Sequence, residues 1–433
     1  MMKRRTGPVR VALLGCGVVG SKTAQLLTEE ADELSARVGR PLELVAVGDR
    51  REEVPGLDSA LLTSDLDALV RRDDVDVIVE LLGGIEPART LIRTAIEHGK
   101  SVVTANKALL ARHGGELFEA AEEHGVDLYY EAAVAGAIPI IRPLRESLAA
   151  DSVKAVMGIV NGTTNYILDQ MHTHGVTFAE ALADAQRLGY AEADPTADVE
   201  GHDAAAKAAL LASLAFHTRV TFDQVDCEGI TAVTPDDIAA AREMGCVIKL
   251  LATCSRTPDG SMAVGVHPTM VPLSHPLAAV SGAFNAVFVE LEWADRLMFM
   301  GPGAGGRPTA SAVVGDVVTA ARNRVRGVAG HGETSYNEAR IAEPGSVESR
   351  YYLQMIVQDS PGVLAQIAAC FATYDVSIQV VRQVPSGPEH ATEARLGVLT
   401  HATNHARLTA TVTDLESMPT VEAGIRVMRV EGE

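Results

Sequence analysis

The first third of the chain alternates short apolar runs with longer segments of helical period. Val9–Leu14, Leu42–Val47, Val75–Leu81, Ser101–Thr104 and Asp127–Tyr130 are the apolar runs, and helical patterns lie between them. That alternation predicts an α/β fold with a parallel, doubly wound sheet. In such a sheet ligands bind beyond the carboxyl ends of the strands.

The pattern then changes. Val153–Val160, Val247–Ser255, Ser261–Val266 and Phe284–Glu292 read as strands of a second, mixed sheet, and 308–326 reads as a helix. Residues 327–349, with Gly, Glu and Ser, read as a linker. The tail gives strand Tyr351–Val357, helix Val363–Thr373, strands Val376–Val384 and Glu393–Thr400, helix Asn404–Glu416 and strand Thr420–Val430. That order, βαββαβ, predicts a ferredoxin-like unit. The expected division is therefore 1–135 with 307–326, an α+β domain over 136–306, the linker, and 350–433.

Chemistry enters at the end of the first strand. Gly15-Cys16-Gly17-Val18-Val19-Gly20 follows Val9–Leu14 and opens a helical pattern running to about residue 37. This is G-x-G-x-x-G between a strand and a helix, the context that dinucleotide binding requires. The glycines permit a tight turn and close approach to a pyrophosphate at a helix N-terminus. Glu80-Leu81-Leu82-Gly83-Gly84 ends the third strand and Thr104-Ala105-Asn106-Lys107 the fourth, so Lys107 points toward the same crevice. Gly301-Pro302-Gly303-Ala304-Gly305-Gly306 precedes a helix and offers a second glycine loop, either a ligand cradle or a hinge.

Residues 189–207 hold five acidic residues, Glu192, Asp194, Asp198, Glu200 and Asp203, and lead into an Ala-rich segment, 203–216. The charges of that segment are Asp203 and Lys207, spaced i and i+4 on one helix face. A helix of Ala and Leu is mostly buried, and a buried ammonium is costly unless paired or used. Lys207 is therefore either half of a structural salt bridge or a catalytic lysine.

Composition narrows the classes. The 433 residues are 47% hydrophobic with a net charge of −20, which argues against nucleic acid or an anionic membrane as partner. No apolar stretch reaches transmembrane length. The basic start, Met1 to Arg5, is followed by too short an apolar run to be a signal peptide. Five cysteines without C-x-x-C suggest reduced thiols and a cytoplasmic setting. The histidines show no zinc-ligand spacing.

Taken in order, the glycine loop, Glu80 to Pro87, Thr104 to Lys107, Asn161-Gly162-Thr163-Thr164-Asn165-Tyr166-Ile167-Leu168, 189–207 and Gly301–Gly306 resemble homoserine dehydrogenase, over roughly residues 9–326. The tail, with Asp359-Ser360-Pro361-Gly362-Val363-Leu364, resembles an ACT domain, a small-molecule sensing module. The resemblance implies reversible reduction of L-aspartate 4-semialdehyde to L-homoserine with NADP or NAD in threonine and methionine biosynthesis. It gives 136–306 a substrate and dimerisation role, hence a homo-oligomer. By resemblance Lys207 is the acid/base lysine, Lys107 a second active-site lysine that also touches substrate and coenzyme, and Asp203 the aspartate beside Lys207. Glu192 matches the substrate-binding glutamate, with Asp198 next to it as a further candidate. Gly15, Gly17, Val18, Val19, Gly20, Gly83, Thr104, Gly303 and Gly306 would line the coenzyme. Glu131, Val134, Gly136 and Ile138 match positions that hold a sodium ion, in part through backbone carbonyls. Asp359, Gly362, Val363 and Leu364 would bind an effector, L-threonine, at a helix start.

One departure concerns the coenzyme. Many family members carry arginine where this chain has Gly48, before Asp49. Asp49 suits a ribose 2′-hydroxyl and NAD, whereas Arg50 and Arg51 suit a 2′-phosphate and NADP. Two other classes stay open: a semialdehyde dehydrogenase, which needs a nucleophilic cysteine although Cys227, Cys246 and Cys254 show no adjacent motif for one, and a non-catalytic amino-acid sensor, against which both lysines and Glu192 argue.

Overall fold

The computed structural model describes residues 6–330, 340–385, 393–422 and 424–432. The basic start at residues 1–5 and part of the expected linker, 331–339, lie outside the described residues.

The first sheet holds β1 (Val9–Leu14), β2 (Leu42–Gly48), β3 (Leu62–Thr63), β4 (Val77–Glu80), β5 (Ser101–Thr104) and β6 (Leu128–Tyr129). Its order is β3-β2-β1-β4-β5-β6, with every pair parallel. The strands are mostly apolar, with Arg10, Glu43 and Glu80 as the charged exceptions, because helices cover both faces. Val77, Ile78 and Val79 are fully buried, each adding about 1.5–3 kcal/mol. Helices Val18–Glu29, Ala31–Val38 and Gly306–Arg326 pack one face; Leu66–Arg71, Ala88–Glu97 and Lys107–Glu123 pack the other. The chain thus leaves this layer after β6 and returns much later to place a long helix against the glycine-loop helix. The single helix expected after the glycine loop is broken at Glu30, whose backbone leaves helical geometry. Two-residue β3 is too short to leave a sequence signal.

The remaining strands form one mixed sheet. They are β7 (Val153–Ile159), β8 (Asp226–Cys227), β9 (Cys246–Arg256), β10 (Met262–Pro272), β11 (Phe284–Leu291) and β12 (Arg296–Pro302), then β13 (Glu348–Gln358), β14 (Ile378–Pro385), β15 (Glu393–Thr400), β16 (Thr403–Asn404) and β17 (Arg426–Val430). The order is β12-β11-β7-β9-β10-β17-β13-β15-β14, with β8 on β10 and β16 on β13. The expected glycine loop at 301 begins inside β12, whose side chains are half-exposed and gave no clear apolar alternation. The tail's strands are antiparallel among themselves, with helices Val363–Thr373 and His405–Glu416 packed on them. They do not form a separate sheet. β17 lies parallel to β10 through Thr269–Arg429 and Met270–Val430, and the Glu431 N–H donates to the Met270 carbonyl at 2.9 Å.

Helix His202–Phe216 lies against β9, β10 and helix Lys107–Glu123. All its residues except His202 and Ser213 are buried, and alanine at many positions lets the neighbours approach closely. It is the element that carries the lysine singled out from the sequence. Among the described residues no helix is long and apolar enough to cross a membrane.

Candidate active site

The glycine loop has the shape its sequence implies. Gly15 has φ +93°, and a Cβ there would lie 2.8 Å from the Leu81 carbonyl oxygen. A Cβ on Gly20 would lie 2.2 Å from the Gly15 carbonyl oxygen. Gly17 faces open space, and Val18 is exposed at the start of a twelve-residue helix, with Val19 behind it. The loop is thus cramped on the protein side and open on the other, with N–H groups at a helix start, as a pyrophosphate requires. The second glycine loop closes on it: a Cβ on Gly306 would lie 3.1 Å from the Val18 carbonyl oxygen. Gly303 packs flat on the Asn285 amide, which leaves no room for a side chain.

At the end of β2, Asp49 accepts from the Cys16 N–H at 2.9 Å and from Arg51 at 2.9 and 3.0 Å. Arg51 bonds hold its carboxyl well below the usual carboxylate range. Arg51, rather than the exposed Arg50, is the arginine folded against the glycine loop, where it also donates to the Cys16 carbonyl at 2.5 Å. Gly48 has a packing reason: a Cβ there would lie 2.3 Å from a Leu66 methyl.

At the ends of β4 and β5 a second cluster forms. Glu80 is fully buried; it accepts from the Leu82 and Gly83 N–H groups at 2.8 and 3.2 Å and from the Thr104 hydroxyl at 2.6 Å. This ties Gly83 and Gly84, both at positive φ, to the next strand. Asn106 caps the following helix, accepting from the Leu109 N–H, and donates to the Gly84 carbonyl at 2.6 Å. Lys107 is therefore fixed in that helix's first turn with its side chain 43% exposed.

The lysines meet at Asp203. Lys207 donates to Asp203 at 2.7 Å and to the Val160 carbonyl at 2.7 Å. Lys107 forms an ion pair with the other Asp203 oxygen. Asn161, at the start of helix Gly162–His174, donates to Asp203 at 2.9 Å and to Asp198 at 2.7 Å. Asp203 also lies in the first turn of its helix, where the macrodipole favours an anion. Burial would raise the Asp203 carboxyl, but the two ammonium groups outweigh it and hold the group well below its ordinary range. Burial lowers Lys207 below the usual lysine value; Asp203 opposes that shift and Lys107 reinforces it. Burial raises the Asp198 carboxyl. Lys207 is thus a buried ammonium held by one carboxylate it shares with a partly exposed neighbour.

Lys207, Lys107, Asp203 and Asp198, expected from the sequence, come together. Glu192 does not join them. It is exposed in the loop before helix Thr196–Val199, where its backbone carbonyl accepts from Gln186 and its carboxylate has no hydrogen bond or ion pair among the described residues. Asn161 and the Val160 carbonyl are further members of this cluster, and Glu80 braces the neighbouring turn after β4; sequence reasoning gave none of them a role. A charged residue closing an apolar strand was the available sign for Glu80, and an Asn ahead of a helical pattern the sign for Asn161.

The 131–138 segment lies beside the second glycine loop. Ala137 N–H donates to the Pro302 carbonyl at 3.2 Å, and Gly136, at φ +58°, abuts Gly303. Val134 and Ile138 are buried. The Glu131 carboxylate accepts from the N–H groups of Ile140, Ile141 and Arg142 at 2.6, 2.8 and 3.0 Å, and its own N–H donates to buried Asp316. In the tail, Gly362 at φ +95° starts helix Val363–Thr373, and Asp359 accepts from Gln383 at 3.0 Å. Val363 is buried and Leu364 is 44% exposed. A cleft of about 340 Å³ lies over this turn. The cysteines show no activation: Cys227 and Cys254 are pushed up by burial to about 11 and about 12, and Cys246 is raised for the same reason.

Two family models match the chain, homoserine dehydrogenase over residues 139–318 and its NAD-binding domain over 15–131. A homoserine dehydrogenase of Mycobacterium tuberculosis is 57% identical over 433 residues, spanning 98% of both chains. That of Corynebacterium glutamicum is 54% identical, spanning 98% of this chain and 96% of its own. The crystal structure of a homoserine dehydrogenase from Thiobacillus denitrificans superposes with a TM-score of 0.91 at 38% identity, over 100% of this chain and 99% of that one. A hyperthermophilic archaeal homoserine dehydrogenase in complex with NADPH gives 0.62 at 26% identity, over 72% of this chain and 97% of that one.

Proposed function

The chain belongs to the homoserine dehydrogenase family, and we propose that within this oxidoreductase Lys207 moves the proton while Lys107 and Asp203 set its state. The observation that carries this reading is the shared carboxylate: one buried Asp203 bridges Lys207 and Lys107, the latter in the first turn of the helix that follows β5. The nicotinamide coenzyme supplies the hydride when bound. Charge then grows on the substrate's carbonyl oxygen. Lys207 gives that oxygen a proton during reduction of L-aspartate 4-semialdehyde and takes it back during oxidation of L-homoserine. Burial weakens its hold on the proton, which makes it a better acid. Lys107, exposed on one side, steers the substrate, and Glu192 and Asp198 offer charges for its α-ammonium. The raised cysteine thiols weigh against the nucleophilic-cysteine alternative. Homoserine-dependent formation of reduced coenzyme tests the assignment. Lys207→Ala should lose on the order of 100-fold or more in kcat with coenzyme binding intact. Near-normal turnover would overturn the role.

Further proposals follow from the surroundings. Asp49 is already bonded to Arg51, so the cationic edge beside it favours a 2′-phosphate and NADP, with NAD the alternative; kcat/KM with each coenzyme decides. Gly15, Gly17, Gly20, Gly83, Thr104, Gly303 and Gly306 would frame the coenzyme. Because the Glu131 carboxylate is taken up by three N–H groups, a sodium ion beside Val134, Gly136 and Ile138 would be held mainly by backbone carbonyls. We read residues 350–433 as an ACT-type regulatory domain of a homo-oligomeric, cytoplasmic enzyme of threonine and methionine biosynthesis, with L-threonine bound at the Asp359–Leu364 turn. Asp359→Ala should abolish any threonine inhibition without changing kcat in its absence.

A further inference from the structure

A cavity of about 220 Å³ lies under the seam between β17 and β10, closed on one side by Ala342 and Val347. It shares no residue with the lysine cluster or with the Asp359 turn. Its volume is about seven times a water's ~30 Å³ share of liquid, enough for a compact solute.

The lining is chemically specific. Arg429 and Glu431, two residues apart at the end of β17, put opposite charges on one face of the strand, and both border the cavity. The Arg429 guanidinium reaches Asp226 and the Tyr351 hydroxyl only at 3.4 Å each, long for hydrogen bonds, and rests on the Tyr351 ring. Most of its five N–H donors are thus weakly used. Asp226 is already held by His267 at 2.9 Å. Glu431 is half-buried at the cavity's edge; burial raises its carboxyl against the Gly432 N–H and the Arg350 guanidinium, and a cation on the cavity side would add to their support. Hydroxyls of Thr253, Ser255 and Thr269 complete the wall. An under-bonded cation, a nearby half-buried carboxyl and a row of hydroxyls complement a zwitterion with a polar side chain.

We propose that this seam cavity is a second small-molecule site, taking a free α-amino acid with a short hydroxyl-bearing side chain: its carboxylate on Arg429, its ammonium on Glu431, its hydroxyl among Thr253, Ser255 and Thr269. The site has a route to the lysines. Asp226 directly precedes Cys227, whose sulfur lies 3.0 Å from where a Gly201 Cβ would be, and the Ile230 N–H donates to the Val199 carbonyl at 2.8 Å. Gly201 caps the helix that carries Asp203 and Lys207. An occupant pulling on Arg429 and Asp226 therefore acts on the segment that anchors the catalytic helix.

The test is calorimetry on the full chain with L-serine, L-threonine, L-alanine and acetate, each up to about 10 mM. Serine or threonine should still bind Asp359→Ala, in which the tail turn no longer contributes, and should bind at least about tenfold more weakly when Arg429→Gln or Glu431→Gln is added to it. Alanine and acetate should bind more weakly than serine. If Arg429→Gln does not fold, Glu431→Gln and Thr253→Val carry the comparison. Absence of binding by serine and threonine, or binding that Asp359→Ala abolishes while the cavity variants keep it, would overturn the proposal. So would affinity unchanged in every variant. An Asp359-only effect would uphold the tail reading while removing this one.

Discussion

Asp203→Asn is the sharpest perturbation the site allows. The carboxylate bonds Lys207 at 2.7 Å and pairs with Lys107 on its second oxygen. An amide keeps the shape and removes the charge. Lys107 can turn to solvent, since it is 43% exposed, but Lys207 cannot, being 9% exposed. Leaving one member of a buried pair uncompensated costs about 3–5 kcal/mol if it stays charged. The relief open to Lys207 is to release its proton. Its affinity for that proton, already depressed by burial and supported by Asp203, then falls further. The signs follow directly. Reduction needs the ammonium, so its rate falls as pH rises through the lysine pKa, and that falling limb should move to lower pH in the variant. Oxidation needs the neutral amine, so its rising limb should move the same way. Near neutral pH the reductive kcat should drop on the order of 100-fold, the usual share of a general acid. Profiles of kcat in both directions, with coenzyme binding followed separately, provide the assay. If both limbs stay in place while the rate falls, Asp203 merely orients Lys207; if the rate also stays, the shared-carboxylate argument is wrong.

Four other outcomes are expected. Lys107→Ala should be severe alone, and with Lys207→Ala the combined kcat loss should be less than additive, because the two act through one aspartate; full additivity would separate their roles. Glu192→Gln should chiefly raise the homoserine KM, and an unchanged KM would shift ammonium recognition to Asp198. Gly48→Ala, which presses a Cβ against Leu66, should cost about 1–3 kcal/mol and lower Tm by several degrees, whereas an unchanged Tm would show that Leu66 yields freely. Buried Asp316 is raised to about 7, first by burial and then by Glu131, so folding favours its neutral form and its contribution to stability is lost as pH climbs from about 4 through about 7. Asp316→Asn should therefore gain Tm relative to wild type across that window, and a difference independent of pH would contradict the assignment.

Periodicity reached most of the architecture because most of it is apolar at short range. The buried strands at Val9, Leu42 and Ser101 announce themselves by composition, and Gly15 to Gly20 by spacing. What stayed hidden was non-local. No residue near Arg426 or Thr269 signals that β17 will run beside β10, since each strand reads the same whichever edge it takes. The lysine cluster was half legible. An i,i+4 pair in an alanine helix marked Asp203 and Lys207, but that Asn161 and Lys107 meet the same carboxylate depends on β7 and β5 ending at one place. Glu192 shows the opposite limit: a motif fixes where a residue stands in the chain, and its carboxylate still faces solvent.

The seam between β10 and β17 bears on how the protein can be cut. The outer edge of β10 is shared by three short partners: the linker at Met262, β8 at Gly265 and Val266, and β17 at Thr269 and Met270. A chain ending before the tail would expose backbone donors and acceptors beside buried Met270 and Val271, an adhesive edge for another copy. Truncation would then yield an aggregating protein, and its loss of activity would say nothing about regulation.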